Sequence, residues 1–172
     1  MNQVDIHKIE ELDNIKQALI QIASALNRSE ITWGLGGSLL LYLYGIKTTV
    51  ADIDIVIDEK DIDKVEALVS TFFHFEKPES GIYLTTRFFS VTHNDVGIDL
   101  MLGFKIKTRN GIFAFPEGKA MSHESVILEN TRINICSLDD WLEAYEAMQR
   151  MDKVTLIKQF KKINEEKKIT SL

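Results

Sequence analysis

Apolar side chains at Ile6, Ile9, Leu12, Ile15, Leu19, Ile22 and Leu26 recur every three or four positions. That spacing predicts one long amphipathic helix, which Asn27-Arg28-Ser29 ends. Ile31 to Trp33 follows as a short strand, and Ser38 to Tyr44 is apolar almost all round, the mark of a short buried helix stopped by Gly45. From Ala51 to Ile57 the chain alternates with a period of two, predicting a strand, and Asp61 to Phe72 returns to helical spacing. Pro78 to Gly81 reads as a loop. Arg87 to Thr92 and Val96 to Leu102 read as a hairpin around His93-Asn94-Asp95, and Val126 to Cys136 as a second one turning at Glu129-Asn130. Residues 103 to 125 carry no clear period. Ser137 with Asp140 three residues on is a capping pattern opening a helix from Leu138 to about Met151; a last helix carries Val154, Ile157, Phe160 and Ile163 on one face. The sum is an α+β fold, a mixed sheet with flanking helices and a helical C-terminus.

Length and composition add bounds. With 172 residues, 45% of them hydrophobic and only two prolines, the chain suits one domain with a full core. We expect a main unit over 1–136 and a helical segment over 137–172 packed on it. No apolar run approaches 18 residues and the N-terminus lacks a signal-peptide pattern, so the expected location is the cytoplasm, without a membrane partner. Cys136 is the single cysteine, which excludes an internal disulfide, and within "INICSL" it reads as a small buried hydrophobe. The net charge of -6 speaks against indiscriminate nucleic-acid binding. It is uneven: residues 150–172 hold seven Lys or Arg against three Asp or Glu, a local +4 that leaves -10 on the rest. A basic end beside an acidic body suits a polyanion such as a triphosphate, or is simply a solvated helix end.

The chemistry concentrates in "WGLGGSLLLYLYGIKTTVADIDIVID", residues 33 to 58. Strand alternation puts Asp52, Asp54, Val56 and Asp58 on one face and Ile53, Ile55 and Ile57 on the other, buried one. Asp52 and Asp54 are then about 6.5 to 7 Å apart at Cα, and such carboxylates converge on hard cations, Mg²⁺ or Mn²⁺; the alternative is a solvent-facing pair. Asp99 stands inside the apolar run "VGIDLML", where an unpaired carboxylate is costly, and is explained if its strand lies beside the first. Gly34-Leu35-Gly36-Gly37-Ser38-Leu39 approaches a dinucleotide fingerprint, but Leu39 stands where that motif needs Gly or Ala. What survives is a Gly-Gly turn offering backbone N–H groups and the Ser38 hydroxyl to an anion. Lys47, Arg150 and Lys153 are candidate phosphate contacts or solvated cations. Tyr42, Tyr44, Trp141, Phe104, Phe113 and Phe115 read as packing residues, with the three phenylalanines as alternative acceptor-pocket candidates. His74, His93 and His123 carry no paired spacing.

Gly-Gly-Ser on a turn into a short helix, Asp-x-Asp on the next strand and a lone strand Asp later resembles the nucleotidyltransferase superfamily of polymerase-beta type, over about residues 31–102. The spacing from Ser38 to Asp52 resembles small stand-alone members, among them lincosamide and aminoglycoside nucleotidyltransferases and the transferases of toxin–antitoxin pairs. The resemblance implies a nucleoside triphosphate with its phosphates against Gly36, Gly37 and Ser38, and two Mg²⁺ ions on Asp52 and Asp54. It implies that Asp99 completes the second metal site or takes the acceptor's proton. The acceptor hydroxyl then attacks the α-phosphorus and pyrophosphate leaves. The implied acceptor is a small hydroxylated molecule such as an antibiotic; RNA or protein, or a non-catalytic binding module, are the alternatives.

Overall fold

The computed structural model describes residues 3–78 and 80–171. In chain order the elements are α1 (Asp13–Arg28), β1 (Trp33–Gly36), α2 (Gly37–Leu43), β2 (Ile53–Ile57), α3 (Ile62–Val69), β3 (Phe73–Glu76), β4 (Arg87–His93) and β5 (Val96–Leu102). They continue with β6 (Lys105–Thr108), β7 (Gly111–Ala114), β8 (Glu124–Leu128), β9 (Thr131–Ile135), α4 (Leu138–Ala147) and α5 (Met151–Thr170). Seven strands form one sheet in the order β3-β4-β5-β2-β1-β9-β8, and β6-β7 is a separate hairpin. β2 runs parallel to β5 and β1 parallel to β9, while the other neighbours are antiparallel, so the sheet is mixed.

The isoleucines of β2 behave as the alternation requires. Ile53, Ile55 and Ile57 are fully buried beside Ile98, Leu100 and Leu102 of β5. Leu19, Ile22 and Leu26 of α1 share that core. Val56, on the aspartate face, is fully buried as well, so the sheet is covered there too. Both hairpins form: Asn94-Asp95 and Glu129-Asn130 all have positive φ, the geometry of two-residue turns that match strand twist.

Several elements differ from the sequence expectation. The first helix is two pieces, a 3-10 segment from Ile6 to Glu11 and then α1, because Leu12 leaves helical geometry at φ -121°, ψ 65°. The first piece is held elsewhere: the Asp5 N–H donates to Leu43 O of α2 at 2.9 Å. Tertiary docking of the N-terminus thus overrides an unbroken apolar period. β1 starts at Trp33 rather than Ile31 and carries Gly34 and Gly36 inside it. β2 starts at Ile53, which leaves Asp52 in a bend before the strand. The helix expected over 61–72 spans only Ile62–Val69, and α4 ends at Ala147, since Gln149 takes φ +59° and Arg150 N–H turns back to Tyr145 O. Ser137 caps α4 as expected, accepting from Asp140 N–H at 3.0 Å. The unreadable stretch folds as β6–β7 and a 3-10 turn, tied down by Asp58, a buried carboxylate that accepts from Gly118 N–H at 2.8 Å.

Candidate active site

The strand registers build the site. Gly36 pairs with Asp54, Asp54 with Asp99, and Asp99 with Ser90, so one row crosses β1, β2, β5 and β4. Residues side by side in register share a face, which sets the Asp54 and Asp99 carboxylates next to each other. Asp52 lies two residues before Asp54 on the same face, exposed at the rim. An open cavity of about 390 Å³ stands over the row, and Asp52, Asp54 and Asp99 all line it. The three acids singled out by pattern are therefore brought together.

Burial and repulsion act on them unequally. Asp54 is pushed up to about 7, first by burial and then by the neighbouring Asp52 and Asp99 charges, with Lys77 and Lys153 opposing. Asp99 is raised as well, chiefly by burial; Lys77 and a hydrogen bond from Ser90 hold it back. The Lys77 ammonium lies 3.7 Å from Asp99 Oδ2 and over the Phe88 ring at 4.8 Å. Neighbouring carboxylates are the oxygen donors that suit a hard divalent cation, Mg²⁺ or Mn²⁺, and such an ion would offset the repulsion that Asp52 and Asp99 add to the burial of Asp54. Among the described residues no three His, Cys, Asp or Glu side chains cage an ion by themselves. Mg²⁺ sites are commonly one or two carboxylates completed by substrate phosphates and water.

The glycines act through what they lack. Gly37 has φ +65°, and a Cβ there would fall 2.0 Å from Asp54 Oδ2. A Cβ on Gly36 would fall 1.9 Å from the Trp141 ring. One glycine thus lets α2 start against the acid, and the other lets the indole approach β1 closely. Ser38, the next residue, lines the cavity and accepts from Lys153 Nζ at 3.1 Å, and the same ammonium donates to Thr48 Oγ1 at 2.8 Å. Lys153 therefore bridges α5 to the start of α2 across 115 residues of chain. Arg150 also lines the cavity, paired with Asp152 at its mouth. Lys47 is exposed and does not line it.

The opposite wall is aromatic. Trp141 packs in tilted contacts with Tyr145, Phe115 and Phe104, ring centroids 5.4 to 6.0 Å apart, and Trp141, Phe104 and Tyr145 face the cavity. Phe115 is buried behind them, and Phe113 packs on its edge. Burial, then the Asp54 charge, pushes the Tyr145 phenol well above its usual range. Cys136 is buried with its thiol pushed up to about 12 by burial, an inert packing residue as expected.

The model of the aminoglycoside-2''-adenylyltransferase family matches residues 18–156, most of the chain and all of the row just described. The chain belongs to this family. It is an enzyme of the nucleotidyltransferase superfamily. Solved structures agree on the fold. A Thermotoga maritima protein described provisionally as a nucleotidyltransferase is 22% identical, with a TM-score of 0.64 over 87% of this chain and 92% of its own. The lincosamide antibiotic adenylyltransferase LnuA, lincomycin-bound, is 13% identical with a TM-score of 0.55 over 83% of this chain and 95% of its own. ANT(2'')-Ia in complex with adenylyl-2''-tobramycin is 11% identical with a TM-score of 0.54 over 83% and 86%. Among curated proteins, none matches significantly. No described helix is long and apolar enough to cross a membrane.

Sequence reasoning missed Lys77, Tyr83, Phe88, Ser90, Met101, Tyr145 and Met148 as site residues. Ser90, Met101 and Phe88 were findable in the hairpin that the pattern predicts, since Ser90 pairs with Asp99, Met101 lies two residues beyond Asp99, and Phe88 pairs with Met101. Lys77, Tyr83, Tyr145 and Met148 carry no such signal, because loops and helix crossings bring them in. Trp141, read as helix packing, both packs on Gly36 and lines the cavity.

Proposed function

We propose that this member of the family transfers a nucleoside monophosphate from a nucleoside triphosphate, ATP first among them, to a hydroxyl of a small molecule such as an antibiotic, releasing pyrophosphate. The observation that carries the reading is the Asp54–Asp99 pair in adjacent register, with Asp52 at the rim and the Lys153–Ser38 bridge at one end of the same cavity. The family name and the ligands of ANT(2'')-Ia and LnuA support adenylyl transfer to an antibiotic.

Asp52 and Asp54, with Asp99, would hold Mg²⁺, two ions in the reading we favour, which supplies neutralisation of the phosphates and acidifies the attacking hydroxyl. Lys153, held by Ser38 and Thr48, takes the β- and γ-phosphates and stabilises the charge that develops on leaving pyrophosphate; Gly36 and Gly37, at the turn into α2, let Trp141 and the Asp54 carboxylate pack against that end of the cavity. Arg150 meets the triphosphate at the mouth. Asp99 either completes the second metal site or accepts the proton of the attacking hydroxyl. Residues 1–136 supply the acids, and 137–172 close the cleft by way of Trp141, Tyr145 and Lys153. Two lysines of the basic C-terminal segment, Lys158 and Lys161, pair with Glu146 and Asp139 of α4. The buried single thiol suits a cytoplasmic setting.

The test is transfer of label from α-³²P-labelled ATP, GTP, CTP and UTP with Mg²⁺ to a panel of hydroxylated antibiotics, on wild type and Asp52→Asn/Asp54→Asn. Metal-dependent label transfer lost in the double variant is expected. Failure of folded wild type to bind any of the four nucleotides with Mg²⁺ refutes the proposal.

A further inference from the structure

α4 meets the turn that opens α2 with two aromatic side chains. Trp141 and Tyr145 lie four residues apart on that helix, so they share a face, and their ring centroids are 5.4 Å apart. The Trp141 indole covers Gly36 so closely that a Cβ there would fall 1.9 Å from it. One helical turn further on, the Tyr145 phenol is hydrogen-bonded to Ser38. Tyr145 also closes the corner between α4 and α5, where its carbonyl oxygen accepts from the Arg150 N–H at 2.9 Å. The residue thus ties the corner that leads into Arg150 and Lys153 to the turn that carries Gly36, Gly37 and Ser38.

The Ser38 hydroxyl has two lone pairs and one proton. One lone pair takes the Lys153 ammonium at 3.1 Å. A phenol is a stronger acid than an alcohol and the better donor of the two, so the Tyr145 O–H donates to the second lone pair. That proton stays on the phenol, because burial and the Asp54 charge hold Tyr145 well above its usual range. Tyr145 is only 4% exposed, which leaves little water to compete for the bond. With both lone pairs of Ser38 engaged, its own proton is left to point into the cavity that Ser38, Asp54 and Lys153 line together. Ser38 then stands as a donor to an anionic oxygen placed beside the Lys153 ammonium, rather than as an acceptor that would repel it.

We propose that Tyr145 is a positioning residue for the triphosphate: its hydroxyl fixes Ser38 as a phosphate donor beside Lys153, acting through Ser38 rather than by touching the nucleotide. The proposal rests on the transferase reading above and adds to it a residue of α4.

The experiment titrates the full chain calorimetrically with a non-hydrolysable ATP analogue and Mg²⁺. It compares wild type, Tyr145→Phe, Ser38→Ala and the variant carrying both changes. Phenylalanine keeps the ring against Trp141 and removes only the oxygen, so the fold is retained, which melting temperature and indole fluorescence would verify. Tyr145→Phe is expected to weaken analogue binding by about tenfold, the worth of one well-placed hydrogen bond. Ser38→Ala is expected to weaken it by about tenfold or more, and the double variant to match Ser38→Ala within about twofold. A loss that came from disturbed packing would persist in the Ser38→Ala background, and the two effects would then multiply to about a hundredfold. Multiplying effects therefore overturn the proposal, as does wild-type affinity in either single variant, and both results leave the transferase reading intact. Failure of folded wild type to bind the analogue with Mg²⁺ removes the transferase reading, and the role of Tyr145 with it.

Discussion

Asp54→Asn should make the protein more stable while abolishing its activity. The Asp54 carboxyl lies at about 7 in the folded protein against 3.8 for the free group, raised by burial and by Asp52 and Asp99. Between those values the folded protein keeps a proton that the unfolded chain has released. Stability therefore falls as pH rises through that window, and the full cost is present above about pH 7. Three pK units correspond to about 4 kcal/mol as an upper bound, and solvent at the open cavity reduces this to about 2 kcal/mol. Asparagine keeps the shape and removes the charge. For a chain of this size, about 2 kcal/mol raises the melting temperature by about 4 to 8 °C. Scanning calorimetry from pH 4 to 8 checks this: the variant should gain nothing at pH 4 and the most at pH 8. Mg²⁺ should raise the melting temperature of wild type at pH 8, where the ion relieves the same repulsion, and leave the variant nearly unmoved. Turnover should fall by about 10³-fold or more, since metal-held charge is worth several kcal/mol in the transition state. A variant less stable than wild type at pH 8, or a gain that does not depend on pH, would refute the placement of Asp54 among uncompensated acids.

Lys153→Met removes the ammonium shared by Ser38 and Thr48; the KM for nucleotide should rise about 10- to 100-fold, the worth of a charge-assisted contact, as steady-state kinetics would show. Gly37→Ala meets both the +65° φ and the Asp54 carboxylate, so metal-dependent nucleotide binding should be lost in calorimetric titration even where the fold survives. Gly36→Ala forces the Trp141 ring off β1 at about 1 to 3 kcal/mol, visible as a lower melting temperature together with a shift in indole fluorescence. Ser137→Ala, by contrast, removes only the α4 cap, costing about 1 kcal/mol in denaturant unfolding with kcat unchanged.

The acids were legible because a strand's period is two. Asp52 and Asp54 had to share a face, the opposite face had to be the isoleucines, and Asp99 in an apolar run needed a reason to be there. The hairpins and the Ser137 cap were legible for a similar cause, since turn and cap chemistry is local. The break at Leu12 was not, because the apolar period runs through it unbroken and only the docking of residue 5 on α2 interrupts it. Nor was the end of α4 at Ala147, which depends on Gln149 entering the left-handed region without a glycine to announce it.

The sequence by itself determined which residues carry charge, which face of each strand is apolar, and that glycines precede a short buried helix ahead of paired acids. Those follow from backbone periodicity and steric freedom, which act over a few residues. Tertiary structure decided the rest. Parallel pairing of β2 with β5 set Asp54 beside Asp99, although 45 positions separate them. The crossing of α5 over α2 brought Lys153 to Ser38, while Lys47, close in sequence to the acids, points elsewhere. The glycines were legible as freedom, but only packing showed what it is used for: space for the Asp54 carboxylate and the Trp141 ring. Strand order and helix crossing are fixed by how all the apolar faces are buried together, and no local stretch of the chain contains that information.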